Sequence, residues 1–137
     1  MSTPALIDLP KLLRSEPALT ALLGNNAAHV AVPLAARALF VAGIASLSER
    51  HPLLIATPTA TDAQHLMNDL RVFLGPEAID QFPAWETLPF ERVSPNVETM
   101  GRRLRTMWRL RDSARCPRVV VAPVRALVQR LGPHVED

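Results

Sequence analysis

Apolar positions along the chain change period several times, and each change marks an element. Leu9, Leu12, Leu13, Leu19, Leu22 and Leu23 recur at three- and four-residue steps, which is a helical spacing. Pro17 kinks or splits that helix, and Gly24-Asn25-Asn26 ends it. His29-Val30-Ala31-Val32 is a short β-type run stopped by Pro33. From Leu34 to Arg50 the period is helical again, with Leu39, Phe40, Gly43, Ile44 and Leu47 on one side. Leu53 to Thr57 is continuously apolar, as a strand covered on both faces would be.

Thr59 and Asp62 offer caps for a helix through Leu74, closed by Gly75-Pro76. Ile79 to Phe82 predicts one more short strand. Pro83, Pro89 and Pro95 bar a helix between Pro83 and Asn96. Glu98 to Arg111 is the clearest helix of the chain. Val119 to Ala122 is a buried strand, and Pro123 opens a last helix through Leu131, a first-turn position that proline tolerates. Strands alternating with helices predict an α/β fold: a parallel sheet with helices on both faces, doubly wound, Rossmann-like or P-loop-like.

Composition narrows the class. The 137 residues suit one domain, and 48% hydrophobic against 20% charged residues is a globular balance. A single cysteine, Cys116, excludes a disulfide framework, and no Cys/His cluster has zinc spacing. The apolar runs are too short to cross a bilayer, and no leader pattern opens the chain, so the expectation is a cytoplasmic protein. Charge is unevenly spread. Residues 1–98 carry six basic and ten acidic side chains, whereas residues 99–137 carry nine arginines and three acids. Such a basic segment suits nucleic acid or an acidic protein surface.

In a doubly wound sheet the first strand-to-helix loop cradles phosphate. Here that loop runs from Val32 to Ala38 and contains no glycine. Pro33 lacks an N–H, Leu34 and Ala36 stand where glycines are needed, Arg37 lies near the lysine position, and Ala38 has no hydroxyl for magnesium. The expectation is no nucleotide cofactor and no catalysis in this domain. His29, His51, His65 and His134 are scattered, Ser94 lacks a nucleophile elbow, and Cys116 beside Arg115 is read as a loop thiol without a role.

Two features remain. Phe82-Pro83-Ala84-Trp85-Glu86-Thr87-Leu88-Pro89-Phe90-Glu91 holds three of the six aromatic residues, which anchor an irregular loop or meet a partner. In the following helix, Met100, Leu104, Met107 and Trp108 fall within about 100° and predict the docking face. Arg102, Arg105 and Arg109 then form a solvent-facing row, a candidate surface for an acidic partner or for phosphate, or a merely solvated face. On that orientation Leu104 is a core residue and Arg105 a surface one.

The Trp85-Glu86-Thr87-Leu88-Pro89 run stands out. Around it come Phe82-Pro83, Phe90-Glu91, Ser94-Pro95, Thr99, Arg103-Leu104, Leu110, Val119 to Val124, Ala126-Leu127 and Gln129-Arg130-Leu131. Together they resemble the N-terminal module of bacterial transcription-repair coupling factors. The likeness covers roughly residues 30–133 and is slight before Ala27. That module is similar to the first domain of the excinuclease protein UvrB, a helicase-like fold in which the first loop is a working P-loop; here Pro33 to Ala38 would be its decayed remnant.

The resemblance implies that residues 27–137 are a fragment of the UvrB-like module and that the next domain starts near or after 134; residues 1–26, where the likeness is slight, are read from their spacing as an N-terminal helical segment. It implies a non-catalytic interaction and scaffold role within an ATP-dependent DNA translocase that displaces stalled RNA polymerase and recruits excision repair through the excinuclease protein UvrA. Contacts to UvrA would lie chiefly in the following domain, and those to RNA polymerase, DNA and ATP further downstream. This module itself would contact adjacent domains and no membrane. The alternatives are an autonomous nucleic-acid binder using the arginine face and, behind it, an active P-loop nucleotidase.

Overall fold

A computed structural model describes residues 6–87 and 96–129. Two short helices, α1 (Leu9–Leu12) and α2 (Pro17–Gly24), open the chain, split at Pro17 as expected. They are followed by α3 (Arg37–Leu47), β1 (Leu53–Thr57), α4 (Ala60–Leu74), β2 (Ile79–Gln81), α5 (Val97–Arg111), β3 (Val119–Pro123) and α6 (Val124–Val128). The three strands form one parallel sheet in the order β1-β3-β2, with Leu53 beside Val119 and Ile79 on its other flank. The α/β class and the parallel sheet are therefore present.

Local chemistry accounts for the element ends. Thr59 Oγ1 accepts from the Asp62 N–H at 3.0 Å and donates to Asp62 Oδ2 at 2.7 Å, satisfying the first turn of α4. Gly75 closes the same helix at φ 80°, a conformation open to glycine. Asn96 caps α5 by accepting from the Glu98 N–H at 2.8 Å.

The main core lies on one face of the sheet, where α3 and α4 cover Val119, Val121 and Ile79 with Ala42, Ala45, Ala63, Met67 and Leu70. The buried side of α3 is thus built from alanines and Gly43 rather than from its large residues. A side chain on Gly43 would meet Leu13, so the glycine lets the N-terminal segment approach closely. A smaller cluster on the opposite face joins Phe82, Val120, Ala122 and Ala126.

Two expectations about strands fail. His29 to Val32 is not a strand; two valines in four residues bury too little to hold a ladder, and Val30 is open to solvent. β1 is not covered on both faces either, because Leu54, which neighbours Val120, is 58% exposed.

Candidate interaction site on the arginine helix

β2 is an edge strand, and an edge leaves backbone groups without ladder partners. Ala78 O accepts from the Arg118 N–H, and the Phe82 N–H donates to Val121 O. The alternation of a parallel strand then turns the carbonyl of Gln81 away from β3, and the carbonyl of Glu77 lies in the 3-10 turn Pro76–Ala78 just before β2. Helix α5 supplies their donors. Arg109 Nη2 donates to Glu77 O at 2.6 Å, and the Thr106 hydroxyl lies 3.2 Å from Gln81 O and 3.0 Å from Arg102 O, sharing one proton between them. One turn back, Arg103 Nη1 donates to Pro83 O at 2.7 Å. At the start of the helix, the Thr99 hydroxyl donates to Glu86 Oε1.

Thr99, Arg103, Thr106 and Arg109 recur at steps of four, three and three, so they form one buried stripe. The stripe runs along the chain from Glu86 back to Glu77. This corrects the orientation expected from the sequence. α5 is turned so that its polar stripe faces the sheet edge, while Met100, Leu104 and Trp108 are 41, 49 and 54% exposed. A Met/Leu/Trp face has no donors for edge carbonyls; a Thr/Arg face does. Met107 alone of the expected docking stripe packs inward, against the Phe82 cluster.

The three candidate arginines consequently part company. Arg109 is buried, with Nη1 2.8 Å from Asp80 Oδ1 and Nε donating to Arg115 O at 2.9 Å. Arg105 is exposed and reaches Asp80 only at 3.9 Å. Arg102, also exposed, pairs with Glu98 and donates to Gln81 Oε1 at 3.2 Å. Arg102 and Arg105 join Arg71 of α4 on the wall of a cleft of about 380 Å³ floored by Ile79 and Asp80. Arg102, Arg105 and Arg109 therefore do not form a solvated row.

The residue that sequence reasoning undervalued is Arg103. Its guanidinium lies 4.1 Å from the Phe82 ring centroid and 4.5 Å from that of Trp85, and the side chain is fully buried. Burial pushes its pKa down from the ordinary arginine value. The signal was present as an arginine on a helix directly after an aromatic-rich loop. Gln129 grips the same loop, accepting from the Trp85 N–H at 2.7 Å and donating to Trp85 O at 3.2 Å. Trp85 and Thr87 are half-buried and Glu86 is exposed; Leu88 and Pro89 lie outside the described residues.

Between Pro33 and Ala38 the chain forms a short 3-10 turn, Leu34–Ala36, before α3. The Ala36 N–H donates to Pro33 O at 2.9 Å and the Arg37 N–H to Leu34 O. Leu34 and Arg37 face solvent, whereas Ala38 is buried in the main core. His29, His51 and His65 are exposed and apart, and no group of three metal-ligating side chains occurs among the described residues. Nor is any described helix long and apolar enough to cross a membrane.

The described residues define a small α/β domain whose arginine-rich helix is spent largely on its own strand edge and loop. The chain is a homologue of the transcription-repair-coupling factors. It is 41% identical over 95 residues to that of Mycobacterium tuberculosis and 31% identical over 93 residues to that of Escherichia coli. The Haemophilus influenzae protein of the same name is 32% identical over 92 residues. Each alignment covers 66% of this chain, which spans about 8% of its relatives' length. No protein-family profile matches the chain.

Proposed function

We propose that this chain is a non-catalytic interaction and scaffold module of a transcription-repair coupling factor. In this reading the whole protein is an ATP-dependent DNA translocase of the bacterial cytoplasm that displaces stalled RNA polymerase and recruits excision repair through UvrA. Residues 27–137 correspond to the UvrB-like, helicase-like module with a degenerate P-loop, and they hold adjacent domains in place. The observation that carries the non-catalytic part is the Pro33–Ala38 turn. Its Ala36 and Arg37 N–H groups are consumed by carbonyls of the same turn, and Ala38 points into the core, so neither a phosphate cradle nor a magnesium hydroxyl is offered.

The nucleic-acid reading relied on Arg102, Arg105 and Arg109 sharing a solvent face, and Arg109 is buried on Asp80. Fluorescence anisotropy with short duplex DNA at low and moderate salt, with and without ATP, tests the proposal. No binding is expected in any arm. Salt-sensitive DNA binding would return the module to the nucleic-acid class, and ATP dependence would overturn the degenerate-loop assignment.

A further inference from the structure

The rotation of α5 leaves a surface with no role in the edge contacts. Val97, Met100, Leu104 and Trp108 stand at successive steps of three, four and four, and fall within about 80° of arc on the outer side of the helix. Such a stripe of apolar side chains at three- and four-residue steps is one that an apposed helix can pack against. Beside them, α6 shares the Phe82 cluster with Met107 through Ala126 and exposes Leu127 and Val128.

Among the described residues, arginines outnumber acids along the border of this seam. Exposed Arg105 follows Leu104, and Arg115 lies with its guanidinium 4.6 Å from the Trp108 ring centroid. Arg111 occupies the seam's own C-terminal end. Asp112, 3.5 Å from Arg115, is the acid at that end, and Glu98 at the other end is engaged by Arg102. Two copies of such a surface would bring arginines against arginines, which disfavours self-pairing.

We propose that the Val97-Met100-Leu104-Trp108 face of α5 is a docking site for an amphipathic helix of a partner, whose apolar seam is bordered by glutamate or aspartate. The apolar seam sets the packing and the arginine border selects acidic partners over basic ones.

Two synthetic helical peptides of about three heptads test it, sharing one leucine seam and carrying either glutamate or lysine at every bordering position. Each is titrated into the chain by fluorescence anisotropy, and the chain alone is examined by sedimentation velocity. The glutamate peptide is expected to bind at least about tenfold tighter than the lysine peptide, with a preference that shrinks as salt rises. Leu104→Glu should abolish its binding while circular dichroism and melting temperature stay unchanged, because the side chain replaced is already half in water. Failure of both peptides to bind, or equal affinity for the two, would overturn the proposal. A dimer that Leu104→Glu dissociates would overturn it too, in favour of a second copy.

Discussion

Arg109 Nη1 sits 2.8 Å from Asp80 Oδ1, and both side chains are almost wholly withdrawn from water. The same guanidinium serves the carbonyls of Glu77 and Arg115, so one side chain joins the edge strand, helix α5 and the turn before β3. Removing one member of a buried pair leaves the other charge desolvated. Arg109→Met is therefore expected to cost about 3–5 kcal/mol in urea denaturation, and the double change with Asp80→Asn less than the sum of the two. A loss below about 1 kcal/mol would mean that Arg105, now 3.9 Å away, closes on Asp80 and compensates.

Arg103 holds the loop by shape as much as by charge. A planar guanidinium can lie against Phe82 and Trp85 while donating to Pro83 O; an ammonium cannot do all three. Arg103→Lys is expected to destabilise the domain by about 1–3 kcal/mol. In a Trp108→Phe background, Trp85 emission should shift to the red as the loop loosens. Unchanged emission and stability would show that Trp85 is held by contacts other than Arg103, the Gln129 hydrogen bonds among them.

How far the sequence specified this architecture depends on which force decided each element. β3 was legible because an apolar run packed on both faces has one reading, and all five of its residues are buried. The ends of α4 were legible because Thr59, Asp62 and Gly75 act locally. The span of α5 was legible to within a residue, but its rotation was not. Helical periodicity assigns the apolar arc to the inside, and here the outward carbonyls of an edge strand, a feature of the tertiary arrangement, drew in the arginines and threonines instead. The site residues divided accordingly: Arg109 became structural and Arg103 became the loop's anchor.

That rotation makes two leucines behave differently. Leu70 is fully buried under the sheet, and Leu70→Ala should cost about 2–5 kcal/mol. Leu104, on the outer arc of α5, should cost less than about 1 kcal/mol as Leu104→Ala. Chemical denaturation of the two variants side by side decides the orientation. Equal losses would put Leu104 back in the core and Arg109 back in solvent.

Glu86 gives the loop a dependence on acid. The Thr99 hydroxyl donates to its carboxylate and holds the pKa below the ordinary value, with burial opposing more weakly. A carboxyl depressed in the folded state adds stability above its unfolded pKa, about 4.3, and that contribution fades as pH falls through the lower folded value. The wild-type urea midpoint should therefore decline more steeply with acidification below about pH 4.5 than that of Glu86→Gln, whose side chain cannot titrate. At pH 7 the order should hold in the same direction, with the wild type slightly ahead. The side chain is exposed, so the difference will be small, and Thr99→Val should erase it by removing the donor while preserving shape. Parallel acid limbs for wild type and Glu86→Gln would mean that the Thr99 contact does not bind the loop to α5, leaving Arg103 and Gln129 to hold it.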